Sequence, residues 1–80
     1  MIMTENRRSS YADRIEAAME EDGVRAEVDV RHVEAYMRAG HPTLDGLSAL
    51  EFRDEVRLAV LCIEAAGWLA SEDLARSYGL

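Results

Sequence analysis

Between Leu47 and Gly67 the chain holds a helix-forming stretch whose second half has almost no polar side, and this constrains the fold more than any other feature. Ser48 and Glu51 have the spacing of a capping box. Leu47 and Phe52 stand where a hydrophobic staple packs, and Gly67 is placed to end the helix in a left-handed cap. Within those limits Val56, Leu58, Ala59, Val60, Leu61, Cys62 and Ile63 leave hardly any polar face. A helix that is apolar all round has to be covered all round. Phe52, Val56, Ala59, Val60 and Ile63 line one side, and Leu58, Leu61, Cys62, Ala65 and Leu69 line another. Glu51, Arg53, Asp54, Glu55 and Arg57 make the first turns polar, so burial is expected to deepen toward the C-terminal half.

The remaining segments read as shorter helices. Residues 1–9 show no apolar period and are expected to form a flexible tail, leaving residues 10–80 as a single helical domain. Ser10 and Asp13 suit a helix start. Tyr11, Ile15 and Met19 then recur every four residues, flanked by Ala12 and Ala18, until Gly23. Asp29 is a good N-cap for a second helix. Val28 and Val33 take its staple positions, Val30, Val33, Tyr36 and Met37 form its stripe, and Gly40 closes it. Glu27 with Arg31 and Glu34 with Arg38 are acid-first i,i+4 pairs, each worth roughly 0.2–0.5 kcal/mol. A connector containing Pro42 and Asp45-Gly46 leads into the apolar helix, expected over residues 49–66. Ser71 reads as the N-cap of a fourth helix carrying Leu74, Ala75 and Tyr78, with Gly79 after it and Leu80 folding back. No segment alternates with the period of a strand. The expectation is an all-α fold, a small bundle of about four short helices packed around the central apolar helix.

Charge narrows the partners. The 80 residues carry a formal net charge of −7, and all nine basic residues are arginine. This balance opposes direct binding to nucleic acid, where Lys and Arg must neutralise phosphates, and adsorption to anionic membranes. A basic protein surface is the compatible partner. The apolar run is too short to span a membrane, and Arg7 and Arg8 are not followed by the apolar segment of a signal peptide, so a cytoplasmic location is expected. Cys62 lies in the apolar run and is expected to be a reduced, buried thiol acting as a small hydrophobe.

Little in the chain points to reaction chemistry. His32, His41 and Cys62 are the soft metal ligands, and they fall on different elements with none of the usual zinc spacings, so neither metal nor cofactor is expected. Ser9, Ser10, Ser48 and Ser71 read as caps or tail, Ser77 has no evident base, and no glycine-rich phosphate loop is present. No catalytic residue is assigned. The segment from Trp68 to Leu80, with Leu74, Ala75 and Gly79 at familiar positions, resembles the first helix and turn of a helix-turn-helix DNA reader. That resemblance covers thirteen residues and implies a groove-reading helix after Leu80. The acidic balance opposes this use, and the segment is read as a helix-cap pattern.

Two surfaces remain. The helices around residues 49–66 are short and each offers one narrow stripe, so they are not expected to shield both sides of Val56–Leu69. Trp68 and Leu69, with Leu61 and Leu58, are therefore the candidate anchors of a protein interface, and homodimerisation is expected. Glu20, Glu21 and Asp22, together with Glu51, Asp54 and Glu55, form the candidate acidic surface. The first three oppose the dipole at the end of their helix, which makes them candidates for a partner's basic group. The function expected is that of a small, acidic, non-enzymatic protein–protein interaction or regulatory module. The alternative is an acidic inhibitor of the phage or mobile-element type, in the manner of anti-CRISPR or anti-restriction proteins. Its carboxylates would imitate a phosphate backbone and block a nucleic-acid-binding protein.

Overall fold

The computed structural model describes residues 11–23 and 27–80, so the expected tail over residues 1–9 and the Ser10 cap lie outside the described residues. Four helices follow one another: α1 (Ala12–Glu21), α2 (Val30–Gly40), α3 (Ala49–Ala66) and α4 (Trp68–Ser77). The described residues contain no strand, and the all-α bundle is as expected.

The starts of α2 and α3 follow from local chemistry. Asp29 is extended, and its carboxylate accepts the Arg31 backbone N–H at 2.9 Å. The Ser48 hydroxyl accepts from the Glu51 N–H while the Glu51 carboxylate accepts from the Ser48 N–H, completing the capping box. α1 has no side-chain cap, and Gly23 beyond its end adopts a φ of +72°. Ile15, Ala18 and Met19 of α1, Val33 and Met37 of α2, Leu44 of the connector, and Phe52, Val56, Ala59 and Val60 of α3 form the core.

α3 touches each of the other helices, yet the most enclosed helix is α2. His32, Val33, Glu34 and Ala35 are buried in succession, which is more than a full turn and means cover on every side. α1, α3 and α4 all pack against α2, while α1 and α4 do not meet. α3 consequently buries Phe52, Val56, Ala59 and Val60 and leaves its other side open. Cys62 lies on that open side and is exposed, which corrects its expected burial. The apolar run alone did not distinguish a covered face from a bare one.

The turn between α3 and α4 is a single residue. Gly67 (φ +92°, ψ 167°) donates its N–H to the Ile63 carbonyl, and its own carbonyl accepts from the Ser71 N–H. The positive φ was expected, but ψ is extended, so the chain re-enters a helix at once. α4 therefore begins three residues before the expected cap. Ser71 is buried inside α4, and its hydroxyl donates back to the Gly67 carbonyl at 2.9 Å. At the other end the Leu80 N–H reaches the Ala75 carbonyl and the Gly79 N–H the Arg76 carbonyl, with Gly79 at φ +76°; this is the expected fold-back, a Schellman motif.

Candidate functional site

The open side of α3 runs into the first turn of α4. At about 100° per residue, Leu58, Leu61, Cys62 and Ala65 project opposite Phe52, Val56 and Ala59. Leu58 is 53% exposed, Leu61 60%, Trp68 58% and Leu69 77%. Leu50, near the start of α3, is also exposed. The four expected interface residues are thus all solvent-facing, and Gly67 brings those of α4 to the end of those of α3.

Beneath Trp68 lies a buried polar network that joins α2 to α4. The Trp68 ring meets the His32 imidazole edge-on, with centroids 5.4 Å apart. His32 is fully enclosed, and its Nε2 lies 2.9 Å from a Glu72 carboxylate oxygen. Arg31 bridges Glu72 at 2.7 Å and Asp29 at 2.9 Å, and Arg76 reaches the second Glu72 oxygen at 3.2 Å. The His32 imidazole and then Arg31 hold the Glu72 carboxyl below its ordinary range, against the opposing effect of burial. Burial pushes Asp29 up, but the side-chain and backbone N–H groups of Arg31 outweigh it and leave that carboxyl lowered too. His32 Nδ1 is buried with no hydrogen-bond partner among the described residues, so the imidazole is tied to α4 through Nε2 alone.

Asp29, His32 and Glu72 could geometrically hold a metal ion, since one ligand atom from each lies within 4.8 Å of the others. The Arg31 guanidinium already bridges both carboxylates, and an entering cation would have to displace it. The arrangement serves as a clamp between α2 and α4. Sequence reasoning missed it because His32 and Glu72 are 40 residues apart. The faint signal was Asp29, Arg31 and His32 crowded at one helix start.

The six acids of the expected acidic surface are mostly engaged within the chain. Asp22 accepts from Arg57 and from Arg53 of α3, each at 3.0 Å, and those two arginines, Arg57 foremost, lower its carboxyl. Glu21 sits 3.3 Å from Arg53 and Asp54 3.5 Å from Arg57. Glu51 is held in the capping box, and Glu55 lies 3.1 Å from His41. The Glu20 carboxylate has no such partner among the described residues. The basic groups sought by the end of α1 are therefore supplied by α3. Elsewhere Tyr11, Arg38, Pro42, Thr43, Leu44 and Tyr78 line a cleft of about 270 Å³, but its cation, Arg38, is paired with the buried Glu34 at 2.7 Å.

The chain matches no known protein family, no curated protein and no solved structure. No helix among the described residues is long and apolar enough to cross a membrane.

Proposed function

We propose that the protein is a non-catalytic protein–protein interaction module working through the outer face of α3 and the first turn of α4. The observation that carries this reading is the shared exposure of Leu58, Leu61, Trp68 and Leu69 on connected elements. Large exposed apolar patches are uncommon on a monomer unless something binds them, and Trp is enriched among residues that dominate binding. The clamp behind Trp68 supports the same reading. It seats the indole against a fixed imidazole, so less ordering remains to be done on binding. An exposed free thiol at Cys62 fits a reducing, cytoplasmic setting.

The acidic-inhibitor reading has less support. Five of its six acids already have partners within the chain, which leaves little free charge to imitate phosphates. A tagged pull-down from the native host separates the two. The double variant L61E/L69E should keep the wild-type circular dichroism, since both side chains are exposed, and should lose the proteins recovered by the wild type. Undiminished recovery with that variant, combined with loss in E20Q/D54N, would overturn this proposal in favour of the inhibitor.

A further inference from the structure

We infer that the occupant of this face is a second copy of the chain, with α3 lying antiparallel on its copy and the two-fold axis passing at Leu61. The inference rests on the interaction-surface reading above and adds the partner and its geometry.

Charge supplies the argument. Arg57 and Glu64 are exposed on α3, and they flank Leu61 from opposite ends. Arg57 precedes Leu61 by about 6 Å along the axis and Glu64 follows it by about 4.5 Å, taking about 1.5 Å per residue. An antiparallel copy therefore sets each Arg57 beside the other chain's Glu64, whereas a parallel copy sets like against like. Such pairs fix orientation more than they add affinity. Arg57 is held by Asp22 through Nε and Nη2, each at 3.0 Å, so the side chain is already oriented, and its contact with Asp54 through Nη1, at 3.5 Å, is the longest of the three.

Shape and net charge agree with this. In the antiparallel register Leu58 falls within about 1.5 Å along the axis of Ala65 of the other copy, large against small, and Leu61 meets its own equivalent. An isologous contact of this kind is closed and stops at two chains. Between Leu58 and Ala65 the outward positions Leu58, Leu61, Cys62 and Ala65 are uncharged, so two chains of net charge −7 meet without carboxylates facing at the centre. Cys62 lies one residue from the axis. With helices packed about 8–10 Å apart, the two thiols come to the same side of the contact, within reach of a short bismaleimide.

Sedimentation equilibrium at tens of micromolar tests this. The wild type should be a dimer, and L61E and L61K should each weaken it on the order of a hundredfold through like charges at the axis. Mixing L61E with L61K should restore a dimer, because Leu61 meets Leu61. A short bismaleimide should join wild-type chains through Cys62 and fail on L61E. A monomeric wild type would overturn the second copy. If L61E still lost host partners in pull-downs, the interaction face itself would stand. A wild-type dimer that L61E leaves unchanged would overturn both the axis and the face. A dimer that is not restored by mixing the two variants would overturn the placement of the axis.

Discussion

Glu72 receives His32, Arg31 and Arg76 on its two oxygens, so a single carboxylate holds α4 against α2. It is ionised more readily in the folded chain than in the unfolded one, as are Asp29 and Asp22. The stabilisation from such groups is complete above the ordinary carboxylate value and disappears as pH falls through the lowered one. Thermal melts are expected to show Tm falling as pH drops below the ordinary carboxylate range, and E72Q should lower Tm at neutral pH and flatten that acid limb. An acid limb as steep in E72Q as in the wild type would show that the clamp contributes nothing. None of this was legible from single residues. Asp29 could be read as a cap because its partner is two residues away, at Arg31. A histidine and a glutamate 40 residues apart each look like ordinary surface until α4 is placed on α2.

Helix boundaries were readable where the chemistry is local. Ser48 with Glu51 and Gly79 with Leu80 are contacts within a few residues, and both formed as expected. Ser71 was misread for an equally local reason. A serine before two acids is a fair start signal, but Gly67 lets the next helix begin immediately, and Ser71 then falls inside it. Gly67 combines positive φ with extended ψ, a region that other residues occupy at a cost of about 1–3 kcal/mol. A Cβ there would meet no atom within 4 Å, so G67A should lose that amount through backbone strain alone, measured by urea unfolding. S48A should lose about 1 kcal/mol by removing one half of the capping box. A G67A variant as stable as the wild type would mean that the turn tolerates another conformation. The cover over α3 was not readable in the same way. Apolar periodicity shows which residues avoid water, while the count and placement of neighbouring helices decide which of them succeed.

At the scale of the molecule, the net charge of −7 acts against association while the apolar face acts for it. Two like-charged chains repel over distances comparable with the Debye length, about 10 Å at 0.1 M salt. Raising salt from low to physiological strength should therefore tighten the dimer several-fold in sedimentation runs, even though it loosens the Arg57 and Glu64 pairs at the rim. Weakening with salt would mean that the rim pairs, not the apolar centre, hold the two chains together. Trp68 is the chain's single tryptophan, more than half exposed, at the edge of the face in question. The molecule thus carries its own optical gauge. Diluted chains should emit as a water-facing indole, and crowding them should move the emission toward the blue as the ring loses its solvent.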